Sequence, residues 1–216
     1  MVTLKMAIIF LMEQIRTPFS LIWTIMSPTV LFFFLHFNEI ELHYGDTAWL
    51  GKQISWFVGY ISFSVVLFNY CLYLVGRRES GFIATFVHNM DGRLLFIRSQ
   101  LIASLIMSIL YVFFFILVVL TGFQASPDYQ IVMIILKSIY INAFMMVSLT
   151  FMASFRVTFQ TASTIYSVLI TVCMVSGIVS LKYNEGIVYW INQVNPIAIY
   201  STILQSDQEL SLMTIF

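Results

Sequence analysis

The charged residues of this chain are spaced so that they leave five long gaps. Thr17–Asn38 is free of Asp, Glu, Lys and Arg for 22 residues, Gln53–Gly76 for 24, Ser99–Pro127 for 29, Ser138–Phe155 for 18 and Val157–Leu181 for 25. Together the gaps hold 118 of the 216 residues. A helix needs roughly 20 predominantly apolar residues to cross a hydrocarbon core about 30 Å thick. A transmembrane strand needs only about 10, alternating in polarity, and these runs are too long and too uniformly apolar for that. The spacing therefore predicts an all-α integral membrane protein with five spans, over about 18–37, 54–76, 99–122, 133–155 and 158–180. Composition excludes the alternatives. Only 9% of residues are charged and 60% are hydrophobic, where a soluble domain carries about 25% charge. Disorder fails on the same numbers. Ten Lys+Arg against ten Asp+Glu leave no basic surplus for phosphates, so no nucleic-acid partner is expected. The whole chain, 1–216, reads as one transmembrane domain.

A sixth apolar run, 186–206, differs from the other five. Asn192, Gln193, Asn195 and Pro196 sit near its middle, and unsatisfied polar groups in lipid are costly. It reads as a re-entrant or interfacial segment, with a short irregular span as the alternative. At the other end, residues 3–16 are no signal peptide, because Glu13, Arg16 and Pro18 interrupt the apolar stretch and no small-residue cleavage site follows. Leu4, Ile8, Leu11 and Ile15 recur at helical spacing opposite Lys5, Glu13 and Arg16. An amphipathic helix lying on the membrane surface is expected, with Leu4, Ile8, Leu11 and Ile15 as its apolar face.

Loop charge sets the orientation. With the N-terminus inside, Lys5, Arg16, Arg77, Arg78, Arg93, Arg98 and Arg156 are inside, while Lys52, Lys137 and Lys182 are outside. Acidic residues run the other way: Glu13, Glu79 and Asp91 inside, and Glu39, Glu41, Asp46, Asp128, Glu185, Asp207 and Glu209 outside. A zero net charge is thus a cancellation between a basic inner face and an acidic outer one.

No side-chain constellation for catalysis is visible. Gly45 to Gly51-Lys52 has five intervening residues and then Gln53, which is not a nucleotide-binding Walker loop. Cys71 and Cys173 fall inside spans and read as packing residues. His36 and His43 flank Glu39 and Glu41, a set that could ligate zinc or simply solvate a loop; no metal site is assigned. No carboxylate or base lies deep in a span, which disfavours ion coupling. Asn69 and Asn142 are the most polar residues within the spans, with hydroxyls at Ser62, Ser64, Ser104, Ser108, Ser148, Thr164, Ser167 and Thr171. Such groups either hold helices together or line a pathway.

The loop Arg77–Arg98 holds four of the seven inner positive charges. Within it Phe82 and Phe86, and Ile83 and Val87, lie one helical turn apart, and Asp91-Gly92 is a turn signal. A short amphipathic helix follows, either docked into a partner groove or packed back on the bilayer.

Taken in order, these features resemble the type-2 ABC transporter permeases, the membrane subunits of bacterial exporters. The resemblance covers nearly the whole chain. It rests on the N-terminal helix 3–16 leading through Arg16-Thr17-Pro18 to a second proline at Pro28, on Arg78-Glu79-Ser80-Gly81 at the end of the second span, and on Asn195-Pro196 with Tyr200 after the fifth. The family has a six-helix fold with both termini inside. Here the chain ends at the apolar Ser211–Phe216, where a sixth helix would begin, so that helix is expected to be missing or truncated.

The resemblance implies a permease in the cytoplasmic membrane of a bacterium, pairing with a second permease copy or paralogue. Each copy would dock on a separate ATPase subunit that binds ATP and Mg, this chain binding no cofactor itself. Closure of the ATPase dimer would drive alternating access and export of an amphipathic drug, peptide, lipid or glycan. The implied coupling residues are Arg78, Glu79, Gly81, Phe82, Ile83, Phe86 and Val87. Asn69, Asn142 and Thr171 are candidates for the path, and Asn195, Pro196 and Tyr200 for the outer gate. The other reading of the same spans is a non-transporting membrane immunity or sensor protein.

Overall fold

The computed structural model describes residues 2–16, 18–82, 90–182 and 185–206. Among them every regular element is helical and none is a strand. In chain order the helices are α1 Val2–Ile15, α2 Pro18–Leu35, α3 Thr47–Glu79, α4 Met90–Gly122, α5 Tyr129–Leu149, α6 Phe159–Lys182, α7 Gly186–Val194 and α8 Pro196–Gln205. Four of them, α3 to α6, are long and apolar enough to cross a membrane, and α2 adds a shorter apolar helix over Thr24–Leu35. The count among the described residues is therefore four, one fewer than the charge gaps predict.

Local chemistry sets the helix ends. Asp46 caps α3, its carboxylate accepting the Trp49 N–H at 3.0 Å, and Asp128 caps α5. The two caps lie together, since Thr47 Oγ1 donates to Asp128 at 3.5 Å and the Gly45 N–H to the Phe123 carbonyl at 3.1 Å. Asn195 caps α8 through Ile197 N at 3.0 Å, and Pro196 occupies the first turn, where its missing N–H costs nothing. Gly81 follows the end of α3 at φ +73°, a left-handed stop that glycine adopts without strain.

The bundle is built around α3, whose apolar window is 72% buried against 28% for α6. Phe32 of α2 meets Phe57 of α3 edge-on at 5.0 Å and Phe115 of α4 at 5.8 Å. On another side, α8 lies against α3 at Gly59. A Cβ there would stand 3.1 Å from the Ile197 carbonyl oxygen and 3.3 Å from Tyr200 Cβ, so only glycine admits this approach without displacement.

Within α3 the turns widen to a π-helix over Val65–Leu72. The Asn69 carbonyl is drawn outward, accepting from Gln100 Nε2 at 2.9 Å and Ser104 Oγ at 3.1 Å of α4. Side chains that take over a backbone acceptor are a recognised cause of such a turn.

Helix α1 forms, and the face it packs against the bundle lies beside the Leu4–Ile8–Leu11–Ile15 stripe. Ala7 and Phe10 are buried, whereas Leu4, Ile8 and Ile15 are exposed. Phe10 packs edge-on against Phe96 at 5.5 Å, and Ser99 Oγ donates to the Thr3 carbonyl at 3.1 Å. The helix therefore turns its small and aromatic side to α4 and its aliphatic stripe outward. The run 186–206 is not one continuous helix. Asn195 divides it into α7 and α8, of 9 and 10 residues. At about 1.5 Å per residue each is roughly half a membrane crossing. Helix α8 is packed inward at Ile197, Tyr200 and Leu204, while α7 leaves Ile187, Trp190 and Val194 exposed, as an interfacial segment would.

Candidate functional site

At the basic end of α3, three consecutive charged side chains reach three different neighbours. Arg77 pairs with Glu13 of α1 and donates to the Tyr73 hydroxyl at 2.8 Å. Tyr73 in turn donates to Glu13 at 2.7 Å. The Arg77 guanidinium also lies over the Phe82 ring at 5.1 Å. Arg78 donates to the carbonyls of Phe155 and Val157, in the connection that leads into α6. Glu79 accepts the Phe159 N–H at the first turn of α6, where a carboxylate meets the positive end of the helix dipole. Arg77, Arg78 and Glu79 thus tie α3 to α1, to the α5–α6 connection and to α6.

Above this knot, along the same helix, a cleft of about 530 Å³ opens between α2, α3 and α6. Its polar lining is Thr24 and Ser27 from α2, Tyr60, Ser64 and Asn69 from α3, and Ser167 and Thr171 from α6; Phe68, Leu72 and Ile170 supply apolar surface. Among the described residues no charged side chain lines it. A recess of about 280 Å³ adjoins it, sharing Phe68, Asn69 and Leu72 and reaching Glu13, Gln14 and Tyr73 at the knot. An almost wholly apolar recess of about 390 Å³ shares Thr171 and extends along α6 to Val188 and Ile191 of α7. The three form one series from the knot to α7.

Of the path candidates, Asn69 and Thr171 come together in this cleft. Asn142 does not join them. It is fully buried, donating to Ser62 Oγ at 3.2 Å and Ser108 Oγ at 2.5 Å and accepting from the Tyr200 hydroxyl at 2.6 Å. In this arrangement it fastens four helices and lines none of these three recesses. Tyr200 belongs to that same buried group, and also donates to the Ser138 carbonyl at 3.0 Å. Asn195 is 3% exposed. Besides capping α8 it donates to the Cys173 carbonyl at 2.7 Å and Ser176 Oγ at 3.1 Å, so with Pro196 it forms a braced joint between α6, α7 and α8.

Of the coupling candidates, Arg78 and Glu79 belong to the knot and Gly81 ends the helix. Phe82 is half-buried, 5.9 Å from the Phe96 ring and beneath Arg77, so its ring is turned into the protein. Ile83, Phe86 and Val87 lie outside the described residues. The histidines of the first loop have other work. His36 Nδ1 lies 3.0 Å from the Phe32 carbonyl and His43 stacks on Trp49 at 4.2 Å. No three potential metal ligands are gathered among the described residues.

Three participants escape sequence reasoning. Glu13 reads as the solvated side of a surface helix, and only its pairing across 64 residues with Arg77 reveals its place. Gln100 is hidden within an apolar stretch. Lys137, assigned by its charge to an outer loop, sits in α5 and donates to the Leu204 and Ser206 carbonyls at the end of α8, closing that helix's negative pole. In comparison with known proteins, neither a protein-family model nor a solved structure matches this chain.

Proposed function

We propose that this chain is the membrane permease subunit of an ATP-driven ABC export system, in the cytoplasmic membrane of a bacterium. The observation that carries the reading is that one helix, α3, bears both the cleft residues Ser64 and Asn69 and the knot Arg77–Arg78–Glu79. A displacement applied at the knot passes along α3 to the cleft wall, and through Glu79 to the facing wall on α6. A rigid secondary element shared by two sites is one carrier of such coupling.

In this reading the N-terminus is inside, α2 serves as the first of five spans, and the basic end of the bundle meets an ATPase subunit that carries ATP and Mg. Arg78, Glu79, Gly81, Phe82, Ile83, Phe86 and Val87 are the residues proposed to couple to the ATPase, and of these Phe82 lies against Phe96 and Arg77. A second permease copy or paralogue faces the open side of the cleft. The amphipathic substrate is exported as the two sides alternate between arrangements.

Purification of the tagged full chain from its native membrane tests this. A Walker-motif ATPase is expected in the complex at near-equal amounts, and Phe86→Asp is expected to release it. If the chain purifies without any such ATPase, the export reading fails and a non-transporting membrane role takes its place.

A further inference from the structure

The cleft between α2, α3 and α6 can be read proton by proton. On the α3 wall, Ser64 Oγ donates to the Tyr60 carbonyl at 2.8 Å. On the α6 wall, Ser167 Oγ donates to the Ser163 carbonyl and Thr171 Oγ1 to the Ser167 carbonyl, each at 2.8 Å. A serine or threonine hydroxyl carries one proton and two lone pairs. With that proton committed to its own helix, each of these groups offers a ligand only acceptors. Asn69 commits an amide N–H to the Tyr111 hydroxyl at 3.4 Å. Thr24, Ser27 and Tyr60 add hydroxyls from α2 and α3. The walls contributed by α3 and α6 are therefore rich in uncharged acceptors.

That polarity selects among ligand classes. A carboxylate or phosphate would meet these lone pairs and, among the described lining residues, no cation, with only neutral hydroxyl and amide donors to replace its hydration. A protonated amine offers N–H donors to those oxygens, and the aromatic rings of Tyr60 and Phe68 are the kind of lining that attracts a cation. Phe68, Leu72 and Ile170 give an apolar body a surface to lie on.

We propose that the cleft binds an amphipathic ligand through a protonated amine whose N–H groups donate to Ser64, Ser167 and Thr171. This rests on reading the cleft as the substrate path and names the class of substrate it takes.

The test uses the full chain in phosphatidylcholine nanodiscs, with binding to empty discs subtracted. Octylammonium is compared with octyltrimethylammonium, which keeps the charge and tail but has no N–H. Octylammonium is expected to bind at least about tenfold more tightly. Ser167→Ala with Thr171→Val is expected to erase that preference, and Thr171→Ser, which keeps the acceptor, to retain it. Both positions are exposed, and an unchanged melting midpoint shows that the variants fold. Equal affinity for the two cations overturns the proposal, as does a preference that survives in the double variant. No ATPase enters the measurement. Loss of the preference with the ATPase still co-purifying removes the ligand class alone, and a preference without an ATPase partner removes the export reading alone.

Discussion

At the scale of single residues, the polar side chains in the apolar helices divide by what surrounds them rather than by type. Asn142 and Asn69 look alike in sequence, each an amide in a charge-free run. Asn142 meets Tyr200, Ser62 and Ser108, which lie 58, 80 and 34 positions away; Asn69 borders open space. Separations of that size depend on how helices are arranged, which a one-dimensional pattern does not contain. Thr171 was readable as a cleft residue only through its resemblance-derived role, and the acceptor character of its hydroxyl became visible only with the Ser167 carbonyl in place. Removing the Tyr200 hydroxyl leaves the Asn142 carbonyl oxygen short of its donor inside the bundle. Tyr200→Phe is expected to lower unfolding stability by about 1 kcal/mol, the size of one interhelical hydrogen bond. Denaturant titration in mixed micelles measures this, and a variant as stable as the parent would show that the buried group is not a fastening.

At the scale of elements, the existence of the long helices was legible but their starts were not: the predicted spans begin at 54, 99 and 133, where the helices begin at Thr47, Met90 and Tyr129. Asp46, Asn195-Pro196 and Gly81 set helix ends as their residue types favour, although charge spacing does not read them as such. The π-turns of α3 were not legible, because Val65–Leu72 holds no residue that demands them; the cause is Gln100 and Ser104 on another helix. The Asp46 cap gives a pH prediction. Its carboxyl titrates below the ordinary 3.8, chiefly because the Trp49 N–H donates to the ionised form, with His43 adding to the effect. A depressed pKa means that the cap is fully present above 3.8 and is lost as the pH falls through its lower folded value. Hydrogen-exchange protection of the Trp49 amide, corrected for intrinsic rate, is expected to decline in that acidic window. Asp46→Asn, which caps without ionising, is expected to remove the dependence. A profile equally steep in both proteins would place the titration elsewhere.

At the scale of the whole molecule, charge spacing predicts five spans, and four helices long and apolar enough to cross a membrane stand among the described residues. The spacing could not show how α8 folds back, because the docking depends on one missing side chain at Gly59. Gly59→Val puts branched carbons against the Ile197 carbonyl and Tyr200 and is expected to cost about 1–3 kcal/mol. The readout is a lowered melting midpoint with Cys71 and Cys173, both buried in the parent, becoming reactive to maleimide at lower temperature. Normal stability would mean that α8 can dock without this close approach. The widened turn in α3 carries one more implication, a mechanical one. Its displaced carbonyl is satisfied by α4, so pulling those two helices apart would strand a bare acceptor in hydrocarbon. Together with the Asn142 fastening, this makes α3, α4, α5 and α8 a chassis. Helix α6 is pinned to it by Glu79 and Asn195 at its two ends and seats Ala162, Tyr166, Ile170 and Cys173 between them, yet its apolar window is the least buried of the four long helices.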